Sequence, residues 1–138
     1  MLALPPSLTG VTVGCDVEDV ARFVGKASDA RFLARVYAPA EIAYCLSRRD
    51  PAPHLAARFC AKEACIKALR ALDPGLPSIR LAAIEVFRLP GEPPVALLRH
   101  PAYAGVGVQI SLSHSRRTAM AVALVWRADA AAVSGALP

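Results

Sequence analysis

The chain has 138 residues, 55% apolar and 20% charged, enough for one domain with a sizeable core and incompatible with a disordered chain. No apolar run reaches the ~20 residues that cross a bilayer. The opening MLALPPSLTGVTVG lacks a basic n-region and a clear cleavage site, so the expectation is a cytoplasmic protein without a signal peptide or membrane segment. A formal charge of +5 suits an anionic partner: nucleic acid, a phosphorylated small molecule or an acidic protein. Scattered bases, three Tyr and one Trp make nucleic acid the weakest of these.

In chain order, GVTVGCDV (10–17) is apolar and β-branched until it meets Asp16, which predicts a short buried strand ending there. EDVARFVGKA reads as a helical turn. Residues 29–49 look helical on both sides of Pro39, which takes a first-turn position after a break near Tyr37–Ala38. Pro51 and Pro53 form the next break, and a long helix covers roughly 54–72 until DPGLP ends it. The period then changes. Segments 79–89, 94–99, 107–114 and 118–126 are strand candidates, and PGEPP (90–94) supplies a turn for a hairpin. The order is α+β: a strand, helices, then an antiparallel meander around one lobe at 11–126. Residues 1–10 read as an extension and 127–138, Ala-rich, as a loose tail. Cysteines at 15, 45, 60 and 65 form no CxxC pair or zinc spacing, so reduced thiols packed as small apolar groups are expected.

The long helix raises the functional question. At ~100° per residue, Leu55, Phe59, Cys65, Ile66, Leu69 and Leu72 fill one broad arc. Alanines and Cys60 fill the opposite side, where only close neighbours fit. Glu63, Lys67 and Arg70 share a narrow strip, while Arg58 and Lys62 lie within the apolar arc itself. Glu63 and Lys67 read, from pattern alone, as an i,i+4 ion pair worth ~0.2–0.5 kcal/mol. Arg58 and Lys62 are like charges four apart, so either their stems snorkel or an anion sits beside them.

Two other segments bear on that choice. Asp16 ends a strand, where it caps a helix or belongs to a site. Ser111, Ser113 and His114 interrupt the apolar strand ISLSH, but no partner Asp or nucleophile elbow makes a hydrolase triad. Taken together, Asp16 and Glu63 are two hard oxygen ligands, too few for a protein cage but suited to Mg²⁺ shared with substrate phosphates. Arg58, Lys62, Lys67 and His114 would supply positive or donor groups for those phosphates. That combination implies a diphosphate substrate and transfer at phosphorus, without a Gly-rich phosphate loop.

VGCDVEDVARF, RFCAKEACIKAL and ISLSHSRRTAMAVAL, in this order and spacing, resemble the 4'-phosphopantetheinyl transferases, most of all the short holo-acyl-carrier-protein synthases. RVYAPAEIAYC and the Gly-Glu-Pro turn at 91–93 resemble them too, so the likeness spans about residues 11–126. It implies that family's fold, an antiparallel sheet packed on a long central helix. It also implies transfer of the phosphopantetheine arm of coenzyme A to a serine of an acidic apo carrier protein, releasing adenosine 3',5'-bisphosphate. By the same resemblance Asp16 and Glu63 hold Mg²⁺, and Asp16, Glu63 and Lys67 are the catalytic set. Arg58, Lys62, Lys67, Ser113 and His114 contact the cofactor, and Arg22 lies where the carrier docks. Either Glu63 or a water on the metal takes the serine proton. A homotrimer with sites between subunits is implied, and whether the carrier serves fatty-acid, polyketide or peptide synthesis is left open. The chain departs from the pattern at Cys15, at Asp19 where Glu is usual, and at Arg70 where Gly is frequent. Two other readings remain beside it: a carrier-binding module without turnover, and a basic nucleic-acid-binding domain.

Overall fold

The computed structural model describes residues 10–128. The elements are β1 (Val11–Asp19), α1 (Ala30–Val36), α2 (Pro39–Leu46), α3 (Pro51–Leu72), β2 (Ile84–Phe87), β3 (Val95–Leu98), β4 (Val106–His114) and β5 (Thr118–Arg127). Short 3-10 turns at Val20–Phe23, Lys26–Ser28, Leu81–Ala83 and Pro101–Tyr103 join them. The architecture is α+β, as expected, but the strands do not form one meander. β1 crosses from the N-terminal end to pair antiparallel with β5, giving a three-stranded sheet in the order β1-β5-β4. β2 and β3 form a separate two-stranded hairpin.

α3 lies between these parts, and its composition explains why it can. Its small-residue side faces the three-stranded sheet, where a Cβ on Gly14 would sit 2.0 Å from the Ala64 carbonyl oxygen and 2.8 Å from the Ala68 nitrogen. Only glycine on the strand and alanines on the helix permit that approach. Thr12 Oγ1 donates to the Ala68 carbonyl at 2.6 Å and ties strand to helix. The inner face of β5 is a row of small residues and one valine, Ala119, Ala121, Ala123 and Val125, all buried. The opposite side of α3 meets larger groups: Phe59 packs 5.4 Å from Phe23, and Tyr37 donates its hydroxyl to the Leu55 carbonyl at 2.8 Å.

Several boundaries differ from the sequence expectation, each for a local reason. β1 does not stop at Asp16 but runs to Asp19, because all nine residues pair with β5. Nor is it buried throughout: Val13 and Val17 are 61% and 57% exposed on the sheet's outer face, while Gly14 faces α3. α3 begins at Pro51 rather than 54, since Pro51 and Pro53 fit a first turn whose amides need no partner and Asp50 accepts from the Ala52 amide. The break at Tyr37–Ala38 is as expected, with Glu41 turning back to accept the Ala38 amide at 2.7 Å. The strand at 79–89 contracts to Ile84–Phe87 because residues 81–83 form a 3-10 turn. β5 continues through Arg127, past the expected end at 126, and the Ala128 amide donates to Gly105. Residues 1–9 of the expected extension and 129–138 of the expected tail lie outside the described residues.

Candidate active site

The sheet's inner face and α3 bring three acids into one neighbourhood. Along β1, alternation sends Asp16 and Glu18 toward the helix and Asp19 away from it. Opposite them α3 presents Glu63, half-buried, and one turn later Lys67. The Lys67 ammonium donates to Asp16 Oδ1 at 3.1 Å and to the Cys15 carbonyl at 2.9 Å. These contacts hold Lys67 above its usual pKa, first through the Asp16 hydrogen bond and then through the Asp16, Cys15 and Glu63 charges. Asp16 Oδ2, in contrast, is buried and has no hydrogen-bond partner. Glu18 is raised above the ordinary carboxylate value, chiefly by burial; Arg22 opposes the shift, while Asp16 and Glu63 add to it. Below the pair lies Cys60, whose thiol donates to the Ala119 carbonyl and is pushed to about 12 by burial and by Asp16 and Glu18.

This is an acidic cluster with Lys67 among its acids, Arg22 at its rim, one unsatisfied carboxylate oxygen and one acid, Glu63, without an ion-pair partner among the described residues. Unpaired buried acceptors are costly, and a hard cation is the ordinary remedy. Among the described residues no three His, Cys, Asp or Glu side chains form a ready-made metal cage. The donor set fits a metal that keeps waters or takes substrate oxygens, not one enclosed by protein.

A cationic cavity of about 360 Å³ lies where α3, the β2–β3 hairpin and the end of β4 meet. Arg58, Arg88, Ser113 and His114 line it with His54 and Tyr44. Arg58 is buried, with its guanidinium carbon 4.1 Å from the centre of the Tyr44 ring and its Nε unpartnered. Cation–π contact accounts for the guanidinium's position over the ring but not for that orphan N–H.

Lys62 requires a correction. It does not face phosphate. Its side chain is fully buried, and its ammonium donates to Glu41 Oε2 at 2.8 Å and to the carbonyls of Leu81, at 3.0 Å, and Ile84. Glu41 is saturated in turn, accepting also from the Ala38 and Val86 amides. Burial draws the Lys62 pKa down while the Glu41 carboxylate opposes this, so the pair persists as a structural clamp among α2, α3 and the hairpin. Snorkelling was one expected answer for Lys62 and an anion the other; an internal carboxylate is the actual one. The Glu63–Lys67 ion pair also gives way, to Lys67–Asp16.

Glu18, not singled out in the sequence, stands beside Asp16, whereas Asp19 points to the other side of the sheet. Strand parity carried that information, once β1 is known to continue past Asp16. Arg22 is exposed at the rim and pairs with Glu18.

The sequence profile of the 4'-phosphopantetheinyl transferase superfamily matches residues 12–124. The chain belongs to that superfamily. The match covers the sheet, the long helix, the acidic cluster and the lining of the cationic cavity of this transferase. It is 43% identical over 119 residues to the holo-[acyl-carrier-protein] synthase of Moorella thermoacetica, covering 81% of this chain and 91% of the relative. It is 40% identical over 118 residues to the corresponding synthase of Chlorobaculum parvum, covering 82% and 96%. Among solved structures, acyl carrier protein synthase of Mycobacterium tuberculosis superposes with TM-score 0.69 at 30% identity, covering 86% of this chain and 99% of that one. A coenzyme A complex of the Chronobacterium ammoniagenes synthase superposes with TM-score 0.72 at 27% identity, covering 86% and 98%.

Proposed function

We propose that this transferase moves the 4'-phosphopantetheine group of coenzyme A to a serine of an apo acyl carrier protein, with Mg²⁺, releasing adenosine 3',5'-bisphosphate. The observation that carries the reading is the unpartnered, buried Asp16 Oδ2 beside Lys67 and Glu63, next to a cavity of opposite charge. An acidic cluster beside a basic cavity suits a ligand with a diphosphate at one end, where a metal would be held, and a free phosphate at the other.

Asp16 and Glu63 would hold the Mg²⁺, with Glu18 beside them. Bound there, the metal would offset the charge that develops on the diphosphate as the P–O bond breaks. Lys67 is already poised on Asp16 and can lean from it toward the departing bisphosphate. Either Glu63, the one of the three acids without an ion-pair partner among the described residues, or a water on the metal would take the serine proton. Arg58, Ser113 and His114 receive the nucleotide end of coenzyme A; Lys62 shapes the site without touching ligand.

The exposed basic residues Arg22, Arg31 and Arg35 form the approach for an acidic carrier, an attraction that weakens with salt. The outer face of the sheet, where Val13, Val17, Met120 and Leu124 are exposed in neighbouring rows, suits burial between three copies of the chain. No helix among the described residues is long and apolar enough to cross a membrane.

Incubation with coenzyme A, Mg²⁺ and a panel of apo carriers, read by intact mass, tests the reading. A Mg²⁺-dependent phosphopantetheine adduct on a carrier is the expected result. Coenzyme A and carrier binding without an adduct would make the chain a docking module, and nucleic-acid retention without coenzyme A binding would overturn the reading.

A further inference from the structure

The cationic cavity holds a residue that the catalytic reading does not use. His54 lies in the first turn of α3, half-buried, one turn before Arg58. Its ring is 5.8 Å from Tyr44 and 6.2 Å from His114, both in edge-to-face geometry, and it lines the same cavity. The groups around it are nearly all of one sign. Arg58 comes from α3, Arg48 from the turn after α2, His114 from the end of β4 and Arg88 from the chain after β2. Tyr44 of α2 is uncharged, and Asp50 at the start of α3 is the one acid whose charge opposes the cations at His54. Among the described residues no Asp or Glu lines the cavity. A buried, unpartnered guanidinium N–H beside two imidazoles and a second arginine suits an anion.

We propose that His54 is a further cofactor-binding residue of this chain, taking up a proton as the phosphate monoester of the nucleotide enters the cavity and so favouring 3'-phosphorylated over 3'-dephosphorylated coenzyme A. The inference rests on the coenzyme A reading above. In the free protein, burial and then the charges of Arg58, Arg48 and His114 hold His54 below its ordinary pKa, so it is neutral near pH 7. A phosphate dianion reverses the sign of that field. The ring then gains a proton from solvent and donates to a phosphate oxygen, adding a charge-assisted hydrogen bond that the dephospho compound does not earn. Binding therefore consumes a proton, and affinity rises as pH falls between the free and the bound pKa, by at most about tenfold per pH unit.

The chain has three histidines, so the ring resonances of His54, His100 and His114 are resolvable by NMR, with His54 assigned by its loss in His54→Gln or, if that variant folds poorly, His54→Phe. The full chain is titrated free, with coenzyme A and with 3'-dephospho-coenzyme A. Expected are a midpoint below the usual histidine value of about 6.5 in the free chain, a rise of at least about one unit with coenzyme A and little change with the dephospho compound. The coenzyme A preference at pH 7 should fall about tenfold in the His54 variant, with the pH slope of affinity flattened. If coenzyme A binds and transfer proceeds while the His54 midpoint stays where it was, this inference fails and the transferase reading stands. If coenzyme A binds at no pH, both fail.

Discussion

Lys67 reaches across 51 positions of sequence to place its ammonium 3.1 Å from Asp16 Oδ1, and in doing so satisfies only one of the two carboxylate oxygens. The second oxygen is buried and bare. Such an arrangement costs stability, and it persists where function needs the vacant acceptor. The Asp16→Asn variant separates the two effects. Transfer should drop at least about 100-fold, as expected for a lost metal ligand, while the thermal midpoint stays the same or rises. Phosphopantetheine transfer by mass and melting by circular dichroism measure both on one sample; native-rate transfer would remove Asp16 from the chemistry.

Lys62 should behave in the opposite way. Because it is locked to Glu41 and two carbonyls, Lys62→Met leaves a buried carboxylate without its counter-charge, at a cost of about 3–5 kcal/mol. Denaturant unfolding should show that loss. Whatever fraction remains folded should bind coenzyme A with near-native affinity. A folded variant with wild-type stability and weakened coenzyme A binding would restore the phosphate role.

Gly14 tests the helix–strand approach. A methyl there meets the Ala64 carbonyl, which belongs to helix backbone and cannot swing aside. Gly14→Ala should destabilise by about 1–3 kcal/mol and, by pushing β1 off α3, separate Asp16 from Glu63. Urea melts and activity should fall together, unlike the Asp16→Asn pattern.

The outer sheet face predicts an assembly with a built-in reporter. Val13→Lys should shift sedimentation from trimer toward monomer. Cys15 is exposed on that face, while Cys45, Cys60 and Cys65 are buried, with thiols pushed by burial to about 11, 12 and 12. Raised thiol pKa values keep the three buried groups protonated and unreactive at pH 8. In the assembled protein all four should resist labelling. In the Val13→Lys protein Cys15 alone should react, counted by mass after a brief thiol pulse. Rapid Cys15 labelling in the native protein at micromolar concentration would exclude this face as the interface.

Arg22 bridges site and surface. Its pairing with Glu18 is at the rim, with the arginine side chain 68% exposed, so the pair itself is worth at most about 1 kcal/mol. Arg22→Glu should raise the KM for carrier several-fold, with a smaller change in kcat, and lessen the salt dependence of kcat/KM. An unchanged KM would place docking elsewhere.

The residues alone determined a good deal of this protein. Local chemistry is legible where a decision is local: the break at Tyr37–Ala38 follows from Pro39 and Glu41, and the helix ending before DPGLP follows from turn residues. The division of α3 into a small-residue side and a large apolar side is likewise periodicity, and it marks the helix as central before any coordinates exist. The resemblance of three motifs in register sufficed to identify the family, and the expectation for Asp16, Glu63 and Lys67 came with it. Pairing across the chain was out of reach, because a strand does not encode its partner. That β1 adds to β5, that β2–β3 stands apart, and that β1 runs on to Asp19 were decided by the packed structure, and with them that Glu18 rather than Asp19 joins Asp16. The partners of the charges were decided there too. Periodicity tells which way a side chain leaves its helix, but only folding shows what meets it: Glu41 from another helix for Lys62, Asp16 from a strand for Lys67. Ion pairs act over a few ångströms, and separations of 21 and 51 residues close to that distance only when the whole chain packs.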